Sequence, residues 1–147
     1  MDTLTAPGTV GGTALRLALT DGSPSLTTEG PYIGRQNAVL LRPDWLLPLA
    51  AWFAGEAQPG ITGHGEYGDP QGRWLAVAGD DAAIVYGARS WARLECLTPY
   101  GGARVSVGPR GRMYGTAVLL PPEGRQNAAA WLRRTNAENR ARRQPAA

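Results

Sequence analysis

The sequence predicts an α+β protein made of two tandem repeats, each of antiparallel strands followed by a helix, packed as one pseudo-symmetric domain. A sixteen-residue segment occurs twice, as AVLLRPDWLLPLAAWF at 38–53 and AVLLPPEGRQNAAAWL at 117–132, with eight identical positions. Short alternating apolar segments precede each copy. A chain of 147 residues is long enough for one sizeable core that both repeats would share. The alternative is a chance match between two alanine-rich helices.

Each copy of the segment predicts a strand that runs into a helix. The shared Ala-Val-Leu-Leu run is apolar and too short for a helix, which favours a buried strand. Pro43 and Pro122 then suit a first helical turn, because proline presets the backbone angle and its missing N–H needs no partner there. Trp52 and Trp131 are predicted to pack each helix onto its sheet. Pro48 predicts a kink or a tight first turn in the first helix.

The composition divides the chain into five segments. Residues 1–12 are small, polar and glycine-rich, and predict a flexible arm. Residues 13–57 form repeat 1 and residues 73–143 form repeat 2. Between them, residues 58–72 hold five glycines and two prolines and predict a linker. Residues 144–147 are a tail.

Alternation of apolar and polar residues predicts the individual strands. Gly79-Asp80-Asp81 lies between two such runs and predicts a hairpin turn, and Gly108-Pro109-Arg110-Gly111 predicts another. The last strand leads directly into the second helix. Apart from the repeated Ala-Val-Leu-Leu runs, the predicted strands cover 14–20, 25–28, 73–78, 82–86, 92–98, 103–107 and 112–120.

The charge of the chain is unevenly distributed. All fifteen basic residues are arginines, which a GC-rich genome would also explain. Residues 1–72 carry three arginines and seven acidic residues, a net charge of −4, whereas residues 73–147 carry twelve and five, a net charge of +7. This asymmetry suggests a polyanionic partner, or else a solvated basic tail.

The residues that catalysis or metal binding would need are scarce. The single histidine, His64, lies in the glycine-rich linker, and the single cysteine, Cys96, has no ligand partner at a useful spacing. Asp80-Asp81 is better explained as a turn than as an acid/base pair. We therefore predict a protein that is not an enzyme and has no cofactor and no metal.

The cellular setting follows from two further observations. A lone cysteine fits a reducing compartment. The longest apolar run, Trp45 to Ala54, has ten residues, so we expect neither a signal peptide nor a membrane span. We expect a cytoplasmic protein, associated with the nucleoid if its partner is DNA.

Arginines and aromatic residues are interleaved in the second half, the pattern of a surface that holds phosphates and stacks bases. Alternation along the strand places Arg104 on the sheet face opposite to that of Val105. It places Arg112 and Tyr114 together on one face. The alternative is that Trp74, Tyr86 and Trp91 belong to the core and the arginines to a solvated outer face. The candidate nucleic-acid-binding residues are Arg35, Arg73, Trp74, Arg93, Arg104, Arg110, Arg112 and Tyr114.

Strands followed by a helix, twice in 147 residues, resemble the Whirly and PUR-alpha families of single-stranded nucleic-acid-binding proteins. Gly34-Arg35 leading to Leu40 or Leu41, and then Pro43 and Trp45, also resembles the last strand and helix start of the related single-stranded-DNA-binding transcriptional coactivators. The Whirly motif Lys-Gly-Lys-Ala-Ala-Leu has no match here. The resemblance implies a repeat of four curved strands and a helix.

Together these observations predict a protein that binds single-stranded DNA or RNA through a basic-aromatic sheet face, with little sequence preference. A homodimer is expected because exposed sheet edges in so short a unit invite pairing. The competing prediction is a protein-interaction or assembly module, such as a phage or nucleoprotein accessory subunit or an inhibitor, that binds no nucleic acid. Oligonucleotide binding that weakens steeply with salt would favour the nucleic-acid-binding prediction over the protein-interaction one.

Overall fold

Over residues 3–30, 37–64 and 69–143, which the computed structural model describes, the chain forms two antiparallel sheets and two α-helices, an α+β fold. The first sheet contains β1 (Thr3–Pro7), β2 (Ala14–Thr20), β3 (Ser23–Glu29) and β4 (Ala38–Leu40), in that order. The second contains β5 (Ile61–His64), β6 (Trp74–Ala78), β7 (Ala82–Tyr86), β8 (Ser90–Leu97), β9 (Gly102–Pro109) and β10 (Thr116–Leu120), each beside the next. The helices are α1 (Leu46–Ala54) and α2 (Pro122–Arg143).

The alternating segments form strands because each can bury one face. In β2, Leu15 and Leu17 are fully buried and Arg16 between them is exposed. The prediction of a strand from Ala14 to Thr20 is therefore confirmed. The hairpin of β6 and β7 is confirmed as well, with Ala78 paired to Ala82 across the turn.

Both helices begin where their prolines predict. Pro43 opens a 3₁₀ turn, Pro43–Trp45, that leads into α1, and Pro122 is the first residue of α2. Pro48 lies in the first turn of α1, where its missing N–H costs no intrahelical bond. Gly55 ends α1 in a left-handed conformation (φ 75°) that a residue with a Cβ adopts only at a cost.

The two helices pack on each other and are shared between the sheets. α1 contacts β7 of the second sheet, while α2 contacts β1 of the first sheet as well as β9 and β10. The Trp52 ring lies 4.7 Å from the Arg125 guanidinium of α2, so this tryptophan contacts the second helix. One hydrophobic cluster joins both halves of the described chain, so the two halves share a core.

Arg125 lies inside this core, 6% exposed. Its Nη2 donates to the Trp52 carbonyl at 2.8 Å, and its Nη1 lies 3.4 Å from the carbonyls of Gly101 and Gly102. The Trp52 carbonyl belongs to the last turn of α1, the negative end of the helix dipole. Carbonyl oxygens and the face of the Trp52 ring therefore stabilise this buried cation, a role that a carboxylate commonly has in a buried ion pair.

Two strands lie where the sequence predicts irregular segments. β1 occupies part of the predicted flexible arm, residues 1–12, and pairs with β2 along its length. β5 lies within the predicted linker, residues 58–72, and pairs with β6. Both predictions are corrected for these strands, whose order comes from backbone pairing with a neighbour rather than from an apolar pattern of their own.

Candidate nucleic-acid interface

The second sheet has an outer face that turns away from the helices. Strand alternation sends Leu75, Val85 and Val105 into the core, and their neighbours to this outer face. At one end of the face, Trp74 pairs with Tyr86, Tyr86 with Trp91, and Trp91 with Gly108. We call Trp74, Tyr86 and Trp91 the aromatic row, since they follow one another across three adjacent strands.

The outer end of the aromatic row is open to solvent. Trp74 is 41% exposed, and its ring centroid lies 5.0 Å from that of Tyr86 with the planes tilted by 33°. The Arg110 guanidinium lies 5.9 Å from the Tyr86 ring. Its Nη1 and Nη2 donate to the carbonyls of Gln71 and Gly72 at 3.2 and 2.7 Å. Arg110 therefore ties the segment before β6 to the turn after β9.

The inner end of the row is covered by the connection between β9 and β10. Trp91 is 6% exposed, and its Nε1 donates to the carbonyls of Pro109 and Arg112 at 3.0 and 2.9 Å. Its ring packs closely on Gly108, where an added Cβ would lie 2.5 Å from Cζ2 of the ring. The Arg93 guanidinium lies 5.4 Å from the ring centroid. Trp91 thus fixes the loop and supports Arg93 beside it.

These side chains line one open groove of about 340 Å³. Aromatic faces, a thioether and guanidinium groups meet there, the chemistry that holds a base and its phosphate. The turn residue Arg89 accepts a backbone hydrogen bond from Arg110 and is itself exposed. We call this the aromatic groove, and its lining residues are Ile84, Tyr86, Trp91, Arg93, Arg110, Gly111, Arg112 and Met113.

The structure brings part of the predicted site together. Arg93, Arg110 and Arg112 line the aromatic groove, and Trp74 stacks on Tyr86 beside it. Arg104 is exposed on the same outer face but lies opposite Glu95 in the register of β8 and β9, farther along the sheet. The first-half candidate, Arg35, lies outside the described residues.

Arg112 and Tyr114 are not in a strand. The predicted strand 112–120 is corrected, because β10 begins only at Thr116. Both residues belong to the connection that bends back over Trp91, and Tyr114 is 86% exposed. They are therefore presented by a loop rather than by alternation along one sheet face.

Tyr86 and Trp91 are groove residues that the candidate set leaves out. A signal for them exists in the sequence, since the hairpin turn 79–81 places Tyr86 opposite Trp74 once Ala78 and Ala82 are paired. Met113, which is 79% exposed, had no such signal because its position depends on the path of the β9–β10 connection.

Arg73 belongs to an ionic cluster at the edge of the groove. Asp69, with a side chain 4% exposed, accepts from Arg73 at 3.1 Å and from Arg42 at 3.0 Å, and Arg42 also pairs with Asp44. The Asp69 carboxylate accepts the backbone N–H of Gln71 at 2.7 Å as well. Chiefly through the Arg73 side-chain hydrogen bond, and against the opposing effect of burial, the pKa of Asp69 is held below its usual value of 3.8.

We expect Asp69→Asn to be less stable than the wild type at pH 7, because the amide keeps the shape but loses the charge that Arg42 and Arg73 face. A carboxylate with a lowered folded-state pKa stabilises above its unfolded pKa and loses that contribution as the pH falls. The difference between the two proteins should therefore shrink below pH 3.8. Urea unfolding at pH 7 and at pH 3 measures it.

The control is Asp21→Asn, an exposed residue of the β2–β3 turn that forms no ion pair with a described residue. Its stability difference from the wild type at pH 7 should be small. A constant deficit for Asp69→Asn at both pH values would contradict the ionic explanation.

Among the described residues, no three histidine, cysteine, aspartate or glutamate side chains lie close enough to hold a metal ion. His64 lies in β5, where its carbonyl accepts the Trp45 Nε1 at 3.2 Å. Cys96 is partly buried, with its sulfur 3.5 Å from Arg125 Nη1.

No model of a known protein family matches this chain, and no curated protein matches it either. Within the described ranges, neither α1 nor α2 has the length and apolar character that a membrane crossing requires.

Proposed function

We propose that the chain binds single-stranded DNA or RNA through the aromatic groove and its rim, without catalysing a reaction. The observation that carries this proposal is the placement of Trp74, Tyr86 and Trp91 in one row beside Arg93 and Arg110 on the outer face of the second sheet. Aromatic faces that stack bases and cations that follow phosphates are the two requirements of single-strand binding.

The roles of the groove residues differ because their exposure differs. Trp74 is 41% exposed, and the exposed loop side chain Met113 lines the groove. Trp91 is buried and supports the loop and Arg93. We assign base stacking to Trp74, whose ring packs on Tyr86, and phosphate contacts to Arg93 and Arg112. Such contacts would give little sequence preference.

The proposal includes a fold of two pseudo-symmetric repeats of the Whirly and PUR-alpha kind. It is supported by the way that β4 and β10, which hold the repeated Ala-Val-Leu segment, each lead into a helix that starts at a proline. The equivalent tryptophans Trp52 and Trp131 are both buried. Such a protein would act in the cytoplasm or on the nucleoid, as a homodimer.

Replacing Trp74 with alanine is expected to weaken binding of a single strand by about five-fold to a hundred-fold, the equivalent of ~1–3 kcal/mol for one stacked base. The measurement is fluorescence anisotropy of a labelled oligonucleotide of mixed sequence, titrated with protein at two salt concentrations beside the matching duplex. Arg93→Ala should weaken binding and flatten its salt dependence, because one phosphate contact is lost.

Two controls make the test specific to the groove. Tyr100→Ala removes an 81% exposed aromatic ring from the turn between β8 and β9, away from the groove, and should leave the affinity unchanged. Arg104→Ala removes a charge outside the groove and should cost less than Arg93→Ala. Absence of binding by the wild type at low salt, or equal losses for Trp74→Ala and Tyr100→Ala, would contradict the proposal.

A protein-interaction module is the second candidate. The observation in its favour is the apolar remainder of the outer face, which includes Ile61 at 85% and Leu119 at 38% exposure. The affinity of a protein partner bound to that surface would depend weakly on salt. It would be lowered by replacing Ile61 with a charged residue and not by Trp74→Ala.

A further inference from the structure

Two rows of side chains lie beside the aromatic row on the outer face of the second sheet. Both rows have one residue on each of the six strands, and the cross-strand register fixes their order. From β5 to β10, the middle row is Gly63, Ala76, Ile84, Arg93, Ser106 and Ala117. In the same order the far row is Ile61, Ala78, Ala82, Glu95, Arg104 and Leu119.

Apart from Ser106, which is buried, these rows form an uncovered surface that is apolar toward β5. Ile61, the alanines of β6 and β7, Ile84, Arg93 and Glu95 line an open depression of about 470 Å³. Neither Arg93 nor Glu95 forms an ion pair with another residue of the described chain. Apolar side chains on an exposed sheet face are unfavourable in water, and their burial is the main driving force for association.

We propose that the middle and far rows form the interface of a homodimer, in which the outer faces of two copies pack against each other about a two-fold axis. The axis lies in the interface and crosses the strands at the level of Leu94, between Arg93 and Glu95. It places the middle row of each copy over the far row of the other. The proposal is independent of nucleic-acid binding.

Arg93 and Glu95 are complementary to each other under that symmetry, while Arg104 of the far row faces Ser106 of the second copy. On β8, Arg93 of one copy faces Glu95 of the second copy, and the same pair recurs on the other side of the axis. An isologous interface requires such reciprocal contacts. Without the second copy, the two charges lie two residues apart on one strand and point the same way.

The shapes are complementary as well. On β7, Ile84 faces Ala82 of the second copy, and on β10 Leu119 faces Ala117. On β5, Ile61 faces Gly63. Each large apolar side chain therefore meets a small one, as interdigitation of two packed sheets requires. The twist of the sheets makes the fit closest on the central strands, β7 and β8.

The aromatic row lies outside the paired rows, one register step beyond the middle row, so the two aromatic grooves of the dimer lie at opposite ends of the interface. Arg93 borders both surfaces, since it lines the aromatic groove and the apolar depression. Glu95 lines the depression alone. A variant of Glu95 therefore tests dimerisation alone, whereas a variant of Arg93 affects both dimerisation and nucleic-acid binding.

The test is sedimentation equilibrium of the full chain, without nucleic acid, up to high micromolar concentration. The wild type should reach twice the chain mass of 15.6 kDa. Arg93→Glu and Glu95→Arg, each alone, place like charges opposite each other and should raise the dissociation constant about tenfold or more. The double variant, with both residues exchanged, restores opposite charges and should restore the dimer.

Arg134→Glu, on the exposed side of α2, applies the charge change of Arg93→Glu away from the interface and should leave the dimer intact. Thermal unfolding of each variant, followed by circular dichroism, checks that it is folded. The proposal is overturned if the wild type is monomeric, if both single variants still dimerise, or if the exchanged double variant is a folded monomer. Oligonucleotide binding should stay weak in the double variant even where the dimer returns, because Arg93 is absent from the groove.

Discussion

Replacing Arg125 with alanine is expected to lower the free energy of unfolding by about 3 kcal/mol. The substitution removes the donor to the Trp52 carbonyl and the cation above the Trp52 ring. It also leaves the carbonyls of Gly101 and Gly102 without this partner and opens a void between α1 and α2. Part of this loss is offset, because the variant no longer has to bury a guanidinium cation and so avoids its desolvation cost.

Two further variants separate these contributions. Arg125→Met fills most of the volume and should recover part of the stability, while the carbonyls still lack the guanidinium as a donor. Arg134→Ala removes the same residue type from an exposed position of α2 and should change the unfolding free energy by no more than about 0.5 kcal/mol. Urea unfolding followed by circular dichroism is the measurement. A loss below about 1 kcal/mol for Arg125→Ala would mean that the buried guanidinium is not a structural contact.

Gly108→Ala is the second substitution with a large expected effect, a loss of about 2 kcal/mol, in the range for overpacking a filled site. A Cβ at this position would lie 2.5 Å from Cζ2 of Trp91 and 2.7 Å from the Tyr114 carbonyl. The ring cannot yield without losing its hydrogen bonds to Pro109 and Arg112. The connection between β9 and β10 should therefore detach from the sheet.

Gly11→Ala is the matched control, because it adds the same methyl group where nothing lies within 4 Å. Unfolding free energies of both variants, together with proteolysis within the β9–β10 connection, test the expectation. Equal stability of the two variants, or an uncut connection in Gly108→Ala, would show that Trp91 accommodates the methyl group in place.

Much of the fold was predictable because its signals are local. The alternation of Ala14 to Thr20 and the prolines Pro43 and Pro122 each decide their own element. β1 and β5 were not predictable in this way. They are edge strands, and each is ordered by pairing with an adjacent strand, which the apolar pattern of its own residues does not reveal. The site follows the same division. Trp74 and Arg93 follow from strand alternation, whereas Arg112 and Tyr114 depend on the path of a loop.

The burial of Arg125 is indicated by its helical spacing and not by its residue type. Composition does not separate it from the exposed arginines at the end of α2. The helical period does, because Arg125 precedes the buried residues Ala128, Ala129 and Leu132 at steps of three, four and seven. A charged residue on the apolar stripe of a helix therefore indicates buried partners, in this case carbonyl oxygens of other elements.

The uneven burial of the tryptophans gives the protein an intrinsic optical reporter. Trp45, Trp52, Trp91 and Trp131 are at most 6% exposed, whereas Trp74 is 41% exposed. A small aqueous quencher will therefore reach Trp74 first, and the quenchable fraction of the emission comes from a single known ring. A base or a protein surface that binds to the Trp74 ring changes the quenchable fraction of the fluorescence, so binding can be followed without a label on the chain.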